Sequence, residues 1–227
     1  MSIADKITEL KKSLPAEVQL IAVSKTYPPE TIMEAYRAGQ RVFGENRPQE
    51  LLAKYEQLPH DIEWHMIGGL QTNKVKYIAP FVKMIHSVES EKLLLTIQKE
   101  ALKNKRTIDV LFEVHIAQEE AKHGWKAQEL IEYLRTGRHK ELNAIRFRGL
   151  MGVATNTEDT DLIRKEFSGL HDLFKTLREE FFDADFDTLS MGMTSDYPIA
   201  VECGATTVRI GSYIFGAREL CQIAPNG

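Results

Sequence analysis

Lys25 closes the apolar run LIAVSK, residues 20–25, and Thr26, Tyr27, Pro28 and Pro29 follow it. An ammonium group at the end of a buried strand has two readings. Partly desolvated, it loses some of its charge, and the neutral amine can form a Schiff base with an aldehyde or ketone. Otherwise its stem packs on apolar surface and its head reaches solvent or a carboxylate. Two further stretches bear on the choice. GMTSD (192–196) and GSYIFG (211–216) each set a glycine beside hydroxyl groups: Gly192 with Met193, Thr194 and Ser195, and Gly211 with Ser212. Glycine lets a backbone approach a ligand closely and hydroxyls bond phosphate oxygens, although the same residues are common in plain turns. Arg209 stands inside an apolar run, where a guanidinium needs a carboxylate or a ligand. An amine, a phosphate cup and an arginine together suit pyridoxal phosphate (PLP). Lys25 would hold its aldehyde carbon, the two loops its phosphate, and Arg209 would face the ring nitrogen. An arginine stays protonated, so the ring would be a weaker electron sink.

Other polar residues read less sharply. Asn46 could bond the ring's 3-oxygen or orient the imine, and it is also a turn former. His65 could line the cofactor face or sit satisfied in the core. His86, Glu113 and His115 read as interior or rim residues without an assigned role. The histidines are scattered and no HExxH occurs, so no metal is expected. Neither G-x-S-x-G nor a P-loop is present.

These residues need a scaffold that gathers strand ends. Eight short apolar runs, at 19–24, 41–44, 62–67, 84–88, 110–116, 147–153, 188–193 and 207–211, alternate with amphipathic stretches. The clearer helices are expected at 31–38, 48–57, 89–103, 127–135 and 159–182, with short ones at 73–79 and 197–203. Strand–helix alternation predicts parallel pairing. Eight units predict an α/β fold, a (β/α)8 TIM barrel, with an open doubly wound sheet as the rival. In a barrel the site forms at the C-terminal ends of the strands, and phosphates often sit after strands seven and eight. Residues 1–14 read as an additional N-terminal helix, with Ser2 and Asp5 at capping-box spacing. The expected organisation is one domain over 1–227.

The composition is that of an ordinary globular protein: 43% hydrophobic and 27% charged residues over 227, with net charge -4. No basic block supports nucleic-acid binding, and no apolar run approaches the roughly 20 residues of a membrane span. Charges interrupt the first residues, so no signal peptide is read there. Two cysteines, Cys203 and Cys221, form no CxxC pair, which predicts a reducing, cytoplasmic home.

AVSKTYP, FGENRPQE, EWHMIGGLQTNK, FRGLMGVAT, LSMGMTSDY and VRIGSYIFGARE resemble the pyridoxal-phosphate homeostasis proteins, also called the proline synthase co-transcribed family. The likeness runs from Leu20 to Glu219, in the family's order. It implies the barrel of the alanine racemase N-terminal domain, the type III fold of PLP proteins. It implies Lys25 as the Schiff-base lysine, Asn46 beside the cofactor, His65 near its face and Arg209 at the pyridine nitrogen. Gly211 and Ser212 match the phosphate site, where threonine is the more familiar second residue. Thr194 stands where serine is usual, after Met193 in the GMS-type motif. Gly69 replaces what is commonly a larger residue. The implied role is to carry or buffer PLP, with effects on amino-acid and keto-acid pools. Amino acids would release PLP by transimination, and apo PLP-dependent enzymes would receive it. The racemase's second domain and catalytic tyrosine have no counterpart here, so enzyme activity is not expected and a monomer is. The alternatives are a weak PLP-dependent amino-acid racemase or lyase, and a regulatory module that senses the cofactor for a protein partner.

Overall fold

Eight parallel strands hydrogen-bond in sequence order, and the eighth returns to the first to close a barrel. The computed structural model describes residues 1–119 and 123–216. Cys221, the end of the VRIGSYIFGARE stretch and the last residues of the expected 1–227 domain lie outside them. The strands are β1 (Gln19–Val23), β2 (Val42–Glu45), β3 (Glu63–Met66), β4 (Met84–Val88), β5 (Ile108–Val114), β6 (Ile145–Gly152), β7 (Thr188–Ser190) and β8 (Thr207–Ile210). The helices are α1 (Ile3–Ser13), α2 (Pro29–Arg37), α3 (Pro48–Gln57), α4 (Val75–Ile78), α5 (Glu91–Lys103), α6 (Ala127–Arg135), α7 (Thr160–Glu180), α8 (Tyr197–Glu202) and α9 (Ser212–Phe215). The expected (β/α)8 architecture is present, and the open sheet is excluded by the β1–β8 pairing.

Strand alternation divides the core in two. Outward residues such as Leu20, Ala22, Phe43, Trp64 and Val208 join Ile32, Leu51, Ile97 and Phe167 of the helices in one buried layer. Inward, Met84, Leu111 and Met151 form a separate cluster. Some boundaries differ from expectation. β5 begins two residues before 110, because Asp109 enters the sheet with Arg146 beside it at 2.6 Å. A charged residue at a strand start hides that start from an apolar pattern. At Gly149, φ is 150° and a Cβ would lie 1.7 Å from the Thr188 carbonyl oxygen. Only glycine fits there, and the β5–β6 register slips by one residue at that point.

The N-terminal helix carries the expected capping box, with Asp5 N–H donating to Ser2 Oγ and Ser2 N–H to Asp5 Oδ2. It lies against α2 and α9, tied by Lys6 Nζ donating to the Ile214 carbonyl at 3.3 Å.

Candidate functional site

At the C-terminal end of the barrel lies a cavity of about 420 Å³, inside the range of roughly 300–1,000 Å³ typical of small-molecule sites. Lys25, Asn46, Met193, Thr194, Arg209, Gly211 and Ser212 all line it. Seven of the eight expected site residues therefore meet in one place. They arrive by the same route: each lies at or just past the C-terminal end of β1, β2, β7 or β8. Ser195, Tyr27, Val23, Ile67 and Val153 complete the wall.

His65 does not line this cavity. It faces a second cavity at the opposite end of the barrel, with Lys83, Asp109 and Arg146. The reason is the period of two: the inward position nearest the upper mouth belongs to Ile67, just past the end of β3, and His65 sits one inward step below it. Its Nδ1 lies 2.9 Å from His86 Nε2, and His86 Nδ1 lies 3.0 Å from Ser190 Oγ. Burial and the nearby Lys83 charge push the His65 imidazole down to about 3. Burial, His65 and Arg209 push His86 well below its ordinary value. Both rings are neutral at physiological pH.

Arg209 is buried between two oxygen acceptors, Ser190 Oγ at 2.6 Å from Nη1 and the Gly152 carbonyl at 3.0 Å from Nη2. The structural alternative for it was a salt bridge, and these hydrogen bonds go to neutral oxygens instead. Burial lowers its guanidinium to about 10, with the Asp196 and Glu113 charges opposing, so it remains a cation at neutral pH. The backbone supports it: Gly192, at φ 92°, turns its carbonyl to accept the Arg209 N–H at 2.9 Å. A Cβ at Gly192 would also meet Ala200 Cβ at 2.6 Å.

A group that sequence reasoning missed sets the course of the chain at Lys25. Behind the barrel wall, Lys54 Nζ of α3 donates to the Ser24 carbonyl, to Glu45 Oε1 and to Glu50 Oε1, each at 2.7 Å. Ser24 Oγ donates to Glu45 Oε1 at 2.6 Å. Glu50 Oε1 also accepts the Thr26 N–H at 2.6 Å. The residues on both flanks of Lys25 are thus pinned by an ionic cluster behind the barrel wall. Thr26 sits at φ 71°, a left-handed turn that costs a non-glycine residue roughly 1–2 kcal/mol. Lys54 falls at i+4 from Glu50 on α3, which was the one visible signal.

Asn46 is set at the rim by Gly68, where a Cβ would lie 2.6 Å from the Asn46 carbonyl oxygen. At the neighbouring Gly69 a Cβ would meet nothing within 4 Å, and Gly69 does not line the upper cavity. Glu113 is half-buried, its Oε2 without a hydrogen-bond partner. Burial and the Glu89 charge raise its carboxyl to about 7. His115 lines a separate groove against α7, with Glu166 and Leu170. Among the described residues no cluster of metal-ligating side chains occurs, and no helix is long and apolar enough to cross a membrane.

The alanine racemase N-terminal domain family matches residues 1–219. A pyridoxal phosphate homeostasis protein of Aquifex aeolicus is 44% identical over 205 residues, 88% of this chain and 87% of that protein. The chain belongs to this family. A Pasteurella multocida protein of the same name is 38% identical over 89% of this chain and 87% of its own length. Among solved structures, PipY of Synechococcus elongatus without PLP superposes with a TM-score of 0.89 at 37% identity, over 95% of this chain and 100% of that one. PipY with PLP bound gives 0.87 at 35%, with the same coverage. The alanine racemase of E. faecalis shares the fold, with a TM-score of 0.72 at 14% identity over 96% of this chain and 58% of its own.

Proposed function

We propose that this chain binds PLP in the upper cavity and acts in PLP homeostasis, carrying or buffering the cofactor. The observation that carries the reading is the meeting, in one cavity, of the Lys25 amine, the Arg209 guanidinium and the hydroxyls of Thr194, Ser195 and Ser212. The donor set fits the cofactor in kind. An aldehyde needs an amine, a phosphate needs several neutral or cationic donors, and a pyridine nitrogen needs one N–H. At Gly211 a Cβ would lie 2.9 Å from the Val23 carbonyl oxygen, so the wall is already as close-packed as a side-chain-free residue permits. PipY, at 35% identity, has been solved with PLP bound, and the relatives' shared name points the same way.

When bound, the cofactor would supply an aldehyde that condenses reversibly with amines. The protein's own residues would do the rest. Lys25 Nζ would hold the aldehyde carbon as a Schiff base. Thr194, Ser195, Gly211 and Ser212 would hold the phosphate, with Met193 beside them. Arg209 would offer an N–H to the ring nitrogen and stay charged itself. Asn46 would flank the ring at the β2 end. His65 lines the lower cavity instead, and this reading gives it no part at the cofactor. An amino acid entering through the cavity mouth would compete with Lys25 for the aldehyde. That exchange would release the cofactor to apo PLP-dependent enzymes and link the protein to amino-acid and keto-acid pools. The same reading takes the chain as one domain over 1–227, a monomer of the cytoplasm without enzymatic turnover.

The test is to purify the protein with added PLP, reduce it with borohydride and locate the modified peptide by mass spectrometry. A pyridoxyl adduct on Lys25 that disappears in Lys25→Ala is expected. No adduct, or one spread over surface lysines, sinks the reading. The alternative, a weak amino-acid racemase or lyase, needs a second acid or base beside Lys25 in the upper cavity, and Glu113, which burial raises to about 7, does not line it. Steady turnover of amino acids by the loaded protein would favour it.

A further inference from the structure

Four polar side chains cross the interior of the barrel in a line: Arg209, Ser190, His86 and His65. Their hydrogens can be assigned from donor and acceptor chemistry. Arg209 Nη1 can only donate, so Ser190 Oγ, 2.6 Å away, accepts. Ser190 is fully buried, and among the described residues its side-chain partners are Arg209 and His86. Buried hydroxyl hydrogens find acceptors, and the acceptor in reach is His86 Nδ1 at 3.0 Å. A neutral His86 with a bare Nδ1 carries its hydrogen on Nε2. That hydrogen points to His65 Nδ1 at 2.9 Å, which must then be bare as well. His65 keeps its hydrogen on Nε2, on the side of the lower cavity it lines. The reverse polarity would give Ser190 Oγ two donors and leave its own hydrogen without a partner.

We infer that Ser190, His86 and His65 form a one-way hydrogen-bond chain that positions Arg209. Each donor in the chain strengthens the next acceptor, and the last link hands the guanidinium a hydroxyl oxygen whose own hydrogen is already committed. With Nη1 held by Ser190 and Nη2 by the Gly152 carbonyl, the guanidinium plane is fixed. Its remaining N–H groups are then left for the upper cavity, which Arg209 lines. Ser190 and His86 are positioning residues. Ser190 touches both Arg209 and His86, His86 reaches Arg209 only through Ser190, and neither lines the upper cavity. The role assigned to Arg209 toward a pyridine nitrogen rests on the proposed function; the chain itself does not.

The first measurement uses the full-length protein without cofactor, labelled with 15N at histidine, at neutral pH. Long-range proton–nitrogen spectra distinguish the two neutral tautomers and the imidazolium. His65 and His86 are both expected as the neutral Nε2–H form. A predominant Nδ1–H form or an imidazolium at either residue overturns the chain. The second measurement titrates wild type, Ser190→Ala and Ser190→Thr with PLP and reads affinity and the absorption band of the bound cofactor. Ser190→Ala should bind at least about tenfold more weakly, the loss of one charged hydrogen bond, with a shifted band. Ser190→Thr, which keeps the hydroxyl, should restore both. Wild-type affinity and spectrum in Ser190→Ala overturn the positioning role while leaving Lys25 labelling intact. If wild-type protein takes no cofactor on Lys25, the functional reading fails, and the tautomers still decide the chain.

Discussion

Lys54 Nζ lies 2.7 Å from the backbone carbonyl of Ser24, so a buried ammonium on one side of the barrel wall holds the residue just before the ammonium on the other. The cluster is costly in isolation: burial pushes the Glu45 carboxyl up, and only Lys54 and Ser24 pull it back down. Its worth lies in the geometry it imposes on Ser24 and Thr26.

Lys54→Met should therefore strand Glu45, whose side chain is fully buried. Removing one partner of a buried pair costs about 3–5 kcal/mol, measurable by urea unfolding. The double variant Lys54→Met/Glu45→Gln should recover part of that loss, and a loss below about 1 kcal/mol in the single variant would show the cluster to be inert.

Removing hydroxyls from the two terminal loops separates phosphate recognition from aldehyde capture. Thr194→Val/Ser212→Ala should weaken PLP binding by about ten- to a hundredfold, as expected for one or two lost bonds to a charged group. Binding of pyridoxal, which has no phosphate, should be unchanged. Equal losses for both ligands, followed by absorbance titration, would place the phosphate elsewhere.

Glu113 makes stability depend on pH in an uncommon direction. Its folded value of about 7 exceeds its ordinary value of 4.5, so between the two the folded state holds more proton than the unfolded one. Stability from this group is complete below pH 4.5 and falls as pH rises toward 7. Glu113→Gln should therefore raise stability more at pH 8 than at pH 5, by an amount on the order of 1–3 kcal/mol. Urea denaturation of both proteins at the two pH values checks this, and parallel shifts would count against it.

His139 is buried among Tyr133, Phe147 and Phe182, and neither ring nitrogen has a hydrogen-bond partner. Burial also lowers its imidazole. His139→Phe removes two unsatisfied polar atoms from an aromatic cluster and should stabilise the fold by roughly 1 kcal/mol. A lower melting temperature than wild type would mean that the ring's shape matters more than its polarity.

Lys25, Arg209 and the two glycine–hydroxyl loops were legible in the sequence because polar residues stand out at the ends of apolar runs. Closed-barrel topology then carries those ends to one mouth. The Lys54 cluster was not legible, since Ser24 and Lys54 are 30 positions apart and a lysine on an amphipathic helix ordinarily reads as solvated. His65 shows a finer limit. Its strand was expected at 62–67 and is found at Glu63–Met66, yet depth along a strand comes in steps of two residues, and His65 lies one step below the mouth. The one-way chain through His86 and Ser190 joins strands far apart in sequence, and no local pattern announces it.

Ser24 separates two primary amines that differ in nothing but address. Lys25 faces the hollow of the barrel, and Lys54 sits behind the staves with three oxygens around its nitrogen. A carbonyl reagent entering by the mouth meets the first and would have to break the wall to meet the second. What a chemist achieves with a protecting group, this chain achieves by setting one lysine just past the end of β1 and the other on α3, behind the wall.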